Sequence, residues 1–407
     1  MLNILETELR CTPYTLACME NGIRIDPAHF AVLTGEFDVE MQRINSQIDG
    51  IAGEHINPKS PPQVARLLHR LGVYPRPGMS TDGDTLAEYI SRSPVVKMII
   101  DYRHLKDMKT KYTEVLPRWA GSDGRIHTNI KTTTVVSGRW ATEDPNLLAI
   151  PVRSAIGASI RRGFIPREGW MMLACDYSQL EIRIAAHMSQ DAVMMSTLWA
   201  GGDIHSDTCM RMFGEVTKSK RYAAKRTGFG ILYGISHKGL HDLFIGEGVT
   251  EFSESDCYDF IELWLRSYPG VANYIKEVEA FIRRNGWVAD MFGRRRPVPE
   301  IWSVHEAIRA AGVRQGVNHT IQATAAGIIK QAMINLTKYL KPWYSFARPL
   351  LQIHDELLWE ADSDHVIEVA EVIKQEMEGA VELRVPVVAE MKLGINWADK
   401  YELNLGE

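Results

Sequence analysis

The chain has 407 residues, 45% hydrophobic and 24% charged, with a formal net charge of −5. That length predicts roughly two or three subdomains, and the acidic balance gives no overall nucleic-acid signature. No uncharged apolar run reaches the ~18 residues of a membrane-spanning helix, MLNILETELRC at the N-terminus lacks a signal-peptide core, and five scattered cysteines fit a reducing cytosol better than a disulfide framework.

In chain order, Leu2, Leu5, Leu9, Leu16 and Met19 form a helical apolar stripe that Asn21-Gly22 stops. A long helix follows from about residue 28 to 52, with Leu33, Phe37, Met41, Ile44 and Ile48 on one face. Further helices are expected from the Asn57–Pro62 turn to Leu71, from Thr85 after a flexible Pro75–Asp84 loop, and from Val95 to Leu116. Arg125–Val136 is rich in β-branched residues and reads as strand, as does a stretch near Arg162–Ile165. Met171–Cys175 reads as a short buried strand, Leu180 to Met188 as a helix, and residues 201–312 as mostly helical, with a β-prone stretch at Trp287–Val298. Val313–Leu340 is expected as one helix, Pro349–Trp359 as two strands flanking His354-Asp355-Glu356, Asp364–Glu378 as a helix and Val385–Leu393 as a last strand. Scattered strands with helical blocks between them predict an α+β plan around one small sheet.

Local charge departs from the overall balance. Lys218–Arg226 holds five basic residues and no acid, Arg294–Arg296 and Arg161-Arg162 are further clusters, and Lys106, Lys109 and Lys111 form a looser one. Asp176 ends the apolar strand, where a carboxylate can be held rigidly for a metal or can simply cap the next helix. Asp355, 179 residues later, also ends an apolar run, with Glu356 beside it. Phosphoryl transfer with two divalent ions about 4 Å apart wants such converging carboxylates, although a polar hairpin turn is the plainer reading of His354-Asp355-Glu356 alone. Arg221, Lys225, Phe229 and Tyr233 recur every fourth residue. That spacing sets them along one helical stripe about 18 Å long, cations at one end for phosphates and rings at the other for sugar and base.

These segments resemble the family A DNA polymerases, the bacterial DNA polymerase I family. Asp176-Tyr177-Ser178-Gln179-Leu180-Glu181-Ile182-Arg183 matches its first catalytic motif, Arg221-x3-Lys225-x3-Phe229-x3-Tyr233-Gly234 its nucleotide-binding helix, and His354-Asp355-Glu356 its third motif. Ser137-Gly138-Arg139, Ile150-Pro151-Val152-Arg153, Asp203-Ile204-His205 and Arg314-x3-Asn318-x3-Gln322 match as well. The resemblance implies an α+β right hand: palm in residues 1–24, 116–202 and 311–407, a helical thumb in 25–115 and helical fingers in 203–310. It implies template-directed addition of dNTPs to a primer 3′-hydroxyl. Two Mg²⁺ ions, replaceable by Mn²⁺, would sit on Asp176, Asp355 and the Tyr177 carbonyl, with Glu356 as a helper. Arg221, Lys225, His205 and Arg153 would bind the triphosphate, Lys225 also serving as a proton donor. Gln179 would position the nucleotide and Phe229 would stack on it, while Glu181 with Tyr233 would exclude a 2′-hydroxyl. Arg139 and Gln322 would touch minor-groove acceptors, Arg314 and Asn318 the DNA backbone, and His354 the primer end.

The same resemblance implies a cytoplasmic monomer, bacterial or in a phage-infected host, acting on primer-template DNA with no membrane contact. With no stretch left for a nuclease, the expectation is synthesis without proofreading, any exonuclease or replisome protein being separate. Departures from the family pattern are Trp140, Leu148-Ala149, Gly228, Ala323 and Gly327. Gly228 and Gly230 are each expected to weaken the nucleotide helix by roughly 1 kcal/mol relative to Ala. A single-subunit RNA polymerase shares the aspartates and the basic helix, but Glu181 and the short chain argue against it. Intact Asp176, Lys225 and Asp355 argue against a non-catalytic DNA-binding replisome subunit.

Overall fold

A computed structural model describes residues 4–74, 80–152 and 154–405, with the backbone alone for residues 84 and 91. Its centre is a five-stranded antiparallel sheet. The strands are β1 (Trp170–Tyr177), β2 (Ala347–Ile353), β3 (Glu356–Asp362), β4 (Ala389–Gly394) and β5 (Lys400–Glu402), in the order β5-β4-β1-β3-β2. The apolar run of β1 is continuous because both faces of the sheet are covered. Period-two alternation divides its side chains between two cores. Leu173, Cys175 and Tyr177 enter one, with α1 (Ile4–Asn21) and most of the later helices. Met172 and Ala174 enter the other, against helices of residues 27–108. Asp176 continues the second face, at its polar end.

The second core is built by α2 (Pro27–Ala52) and α3 (Pro94–Met108). Asp26 caps α2 by accepting from the Ala28 and His29 amides at 2.9 and 3.2 Å, and Pro27 fits the first helical position. Phe30 to Ile48 then bury one stripe. After the sheet's first strand come α4 (Leu180–Ser189), α5 (Ile204–Phe213), α6 (Lys218–Leu232), α7 (Glu306–Leu336) and α8 (Val366–Glu378). No helix among the described residues is long and apolar enough to cross a membrane.

Several expectations need correction. The leucine stripe of α1 faces outward: Leu5 is 69% and Leu9 64% exposed, while Cys11, Tyr14 and Cys18 are buried. The buried face is chosen by Tyr14, whose ring meets Trp140 and Trp359, and by Glu8. Arg125–Val136 is two short strands, Arg125–Ile126 and Asn129–Lys131, followed by bends. The strand expected near residues 162–165 gives way to a helix, Ala155–Arg162, started by Ser154, whose hydroxyl accepts from the Gly157 amide at 3.0 Å; only Phe164 makes a bridge, to Ile25. The helix beginning at residue 95 ends at Met108 in a π turn, Lys109–Thr113. The expected Val313–Leu340 helix starts earlier, at Glu306, and yields to a 3₁₀ turn at Thr337. Part of the Pro75–Asp84 loop, residues 75–79, lies outside the described residues.

Buried charges fasten α1 at both ends. Glu8 accepts from Arg294 and from Lys330, each at 2.5 Å, and Lys330 is only 2% exposed. At the other end Arg125 donates to the Asn21 and Gly22 carbonyls and to Glu360, which is fully buried. Removing one partner of such a group strands the others without compensation. Glu8→Ala should therefore lower unfolding free energy by about 3–5 kcal/mol, read from urea denaturation; a loss within experimental error would mean the triad is dispensable.

Candidate active site

Sheet register brings the acidic groups together. Asp176 pairs with Glu356 on β3 and with Glu390 on β4. His354 and Asp355 make the turn between β2 and β3, His354 in the left-handed region at φ 52°. The Tyr177 amide donates to the Asp355 carbonyl at 3.1 Å, locking that turn to the tip of β1. Asp176 does not cap α4: the residue before the helix is Gln179, itself left-handed at φ 53°. Asp176 and Asp355 line the same cavity of about 720 Å³. Burial, then the neighbouring Glu356, raises Asp176 to about 6. Burial, then Glu181, raises Asp355 to about 7, with Asp176 adding to it.

Two half-buried carboxylates that repel one another and make no ion pair among the described residues suit a divalent cation. Among the described residues no group of three or more His, Cys, Asp or Glu could hold a metal alone. The protein therefore offers a partial oxygen shell of two carboxylates on one cavity wall. This fits Mg²⁺, which keeps positions for water and substrate phosphates. Tyr177 itself points inward, its hydroxyl donating to the Met377 carbonyl at 2.7 Å.

Facing the aspartates, α6 presents Arg221, Lys225 and Phe229 to the cavity, with Tyr233 just past its last turn. The Lys225 ammonium lies 5.9 Å from the Phe229 ring, and Phe229 stacks with Tyr233 at 6.4 Å. Arg221 is held by Asp203 at 2.6 and 2.8 Å and by the Ser206 hydroxyl. Burial raises Asp203, but hydrogen bonds from Ser206 and Arg221 outweigh it, so its carboxyl stays below the usual range. His205 packs against Phe229 at 5.3 Å, and burial drops it to about 4. It is therefore neutral near pH 7, a hydrogen-bonding group and not a cation.

Glu181 closes the floor. Buried, it accepts from Arg139 at 2.7 Å and from the Tyr233 hydroxyl. Gln322 adds a hydrogen bond to Tyr233. Arg314 packs over Gly234 in a recess behind Tyr233. Asn318 lies one turn before Gln322 on α7. The Arg139 Nε, Gln179 Oε1 and Asn318 Oδ1 atoms are buried without a hydrogen-bond partner, and Arg139 and Gln179 line the cavity. His354 is exposed at the cavity rim. Glu356 turns away to Lys400 at 3.0 Å. Arg153 lies outside the described residues.

The cavity also holds two groups to which the sequence reading gave no role. Asp203 is the counter-charge of Arg221, and Glu390 faces the aspartates from β4. The alternation of Val385–Leu393 is the signal that would have set Glu390 on the polar face. The two glycines of α6 also gain a reason. A Cβ on Gly228 would lie 3.0 Å from the Trp264 indole nitrogen, and one on Gly230 2.6 Å from Ile235. They permit close packing: alanine at 230 would force Ile235 to shift, and alanine at 228 would crowd Trp264.

The raised carboxylates have a pH signature. Folded values of about 6 and 7 exceed the unfolded ~3.9. Their contribution to stability is therefore fully present below about pH 4 and lost as pH rises through about 7. In EDTA, Asp176→Asn/Asp355→Asn should melt higher than the parent at pH 8 and alike at pH 4. Mg²⁺ should raise the parent's melting temperature at pH 8 and leave the variant's unchanged. Equal pH profiles would refute this.

Comparison with known proteins gives one answer. The family model described as DNA polymerase family A matches residues 28–399. DNA polymerase I of Caldicellulosiruptor bescii is 37% identical over 389 residues, 93% of this chain and 45% of that protein. Thermostable DNA polymerase I of Thermus aquaticus is 37% identical over 401 residues, 95% of this chain and 47% of that one. The chain thus spans about half the length of the curated relatives it matches. Among solved structures, the POL domain of Pol1 from M. smegmatis, in complex with DNA primer-template and dNTP, has a TM-score of 0.88 and 31% identity, over 96% of this chain and 70% of that one. With an antiparallel sheet carrying its paired aspartates opposite a basic-aromatic helix, the chain belongs to DNA polymerase family A.

Proposed function

We propose that this chain adds deoxynucleotides to a primer 3′-hydroxyl under the direction of a DNA template. The observation that carries the reading is the convergence of Asp176, Asp355 and the Arg221–Lys225–Phe229–Tyr233 stripe on one cavity. The similar M. smegmatis domain was solved with primer-template and dNTP, which supports the same partners here. In this reading residues 1–24, 116–202 and 311–407 are the palm, 25–115 the thumb and 203–310 the fingers. The setting is the cytoplasm, supported by bacterial relatives, and the acting unit is a monomer.

Mg²⁺ ions held by Asp176, Asp355 and the Tyr177 carbonyl would lower the pKa of the attacking hydroxyl and neutralise the leaving pyrophosphate; Mn²⁺ would substitute. Incoming phosphates would draw Arg221 from Asp203, a partly exposed pair weak enough to exchange. Lys225 would contact the triphosphate and give a proton to the departing pyrophosphate. His205, being neutral, would donate one hydrogen bond. Phe229 would stack on base and sugar, with Gln179 beside the nucleotide. Glu181, bonded to Tyr233, would stand where a 2′-hydroxyl falls. Arg139 and Gln322 would meet minor-groove acceptors, which every correct pair presents. Asn318 and Arg314 would hold the strand backbone, and His354 the primer end. These residues carry out synthesis without proofreading.

Primer extension tests the reading. The parent should extend a primer with dNTPs, and Asp176→Asn or Asp355→Asn should lower the rate by at least about 10³-fold. Glu181→Ala should admit ribonucleotides, and Phe229→Tyr should raise dideoxynucleotide incorporation. A parent that binds primer-template but never extends it would overturn the proposal. Shortening of a mismatched primer that survives Asp176→Ala would overturn the absence of proofreading.

A further inference from the structure

We infer that a basic and aromatic platform outside the cavity binds the unpaired template strand ahead of it; the inference rests on the polymerase reading. The helix Pro269–Asn285 ends in Arg283 and Arg284, and a short hairpin, Trp287–Ala289 with Arg295–Pro297, follows. The Trp287 ring takes the edge of Phe281 at 5.1 Å, and the Arg295 guanidinium lies 4.5 Å from its centroid. Trp302, from the next turn, rests against Gly286, where a Cβ would lie 3.5 Å from its ring. Trp302 is 72% exposed and Phe281 40%. Arg283, Arg284 and Arg295 are exposed and make no ion pair among the described residues. Acids on the same helix, Glu277 and Glu279, lie a turn or more earlier.

Stackable rings interleaved with guanidinium groups match a single strand, which offers phosphates and unpaired base faces together. A duplex hides those faces. The position fits as well. Val288 and Val298 of the hairpin region pack on Val313 and Val317 of α7, and Arg296 donates to Gln315 at 2.6 Å. Arg314, the next residue back, lies over Gly234 beside Tyr233. From Arg314 to the start of α7 at Glu306 is eight residues, about 12 Å. One rigid helix therefore joins the platform to the rim where a templating base would enter. Exposed Val304 and Ile308 widen the apolar edge toward what a protein partner would prefer; the three unpaired arginines favour the strand.

The experiment compares primer-templates with a 1-nucleotide and a 12-nucleotide 5′ template overhang, by fluorescence anisotropy and by extension. The parent should bind the long overhang more tightly. Trp302→Ala should weaken that complex roughly 5- to 100-fold, the range for losing one stacked base, and Arg283→Gln/Arg284→Gln should weaken it at low salt by losing phosphate contacts. Both should leave the short-overhang complex and its extension rate unchanged, and the arginine variant should flatten the salt dependence. Equal affinity of the parent for both overhangs, or variants that bind the long one like the parent, would overturn the inference and leave a protein partner as the occupant. A parent that binds the long overhang selectively yet extends neither template would overturn the polymerase reading alone.

Discussion

One backbone hydrogen bond, from the Tyr177 amide to the Asp355 carbonyl, ties together two parts of the chain that the sequence keeps far apart. It is the last rung of the β1–β3 ladder, whose register sets Asp176 opposite Glu356. A slip of one residue would reverse every side chain of β1. Asp176 would then turn into the core that holds Cys175 and Tyr177, and Cys175 would face the cavity. That slip is resisted by two cores at once, because Met172 and Ala174 fill one while Leu173 and Tyr177 fill the other. The precision of the acidic site is thus a by-product of burying a strand on both faces.

Across the cavity the cationic helix is held by a different kind of force. Arg221 and Asp203 are partly exposed, as are the cavity rims, so their attraction is modest and replaceable by phosphate. Glu181 is the opposite case: buried and bonded to Arg139 and Tyr233, it is shielded from water and held in one position. The cavity therefore combines a yielding end at Arg221 with a rigid end at Glu181. On the proposed function, that division suits a site that accepts several bases while rejecting one hydroxyl.

Much of this was legible beforehand. Asp176, Asp355 and the four-residue spacing of Arg221 to Tyr233 carry the family resemblance, and the family comparison agrees with it. Long elements with a strong apolar period, such as α2, were readable to within a residue. The rest was decided by contacts distant in sequence. The leucines of α1 suggest the wrong face because Tyr14, Trp359 and the Glu8–Lys330 pair fix the right one from other elements. The β-branched run after Arg125 does not stay a strand, since its partners, Ile23–Arg24 and Ala141–Glu143, are each only two or three residues long. The role of Asp203 was hidden because a counter-charge looks like any acid until its cation is located.

The glycine contacts of α6 have a mechanical consequence. Gly228 lets Trp264, a fully buried ring on the helix Glu254–Ser267, approach the backbone of α6 with no intervening side chain. Gly230 does the same for Ile235 at the start of the next turn. Surfaces that meet without clearance do not slide past one another. If α6 tilts toward a substrate, Trp264 and the helix that carries it must travel with it, so the moving part is at least a pair of helices and the drag belongs to both.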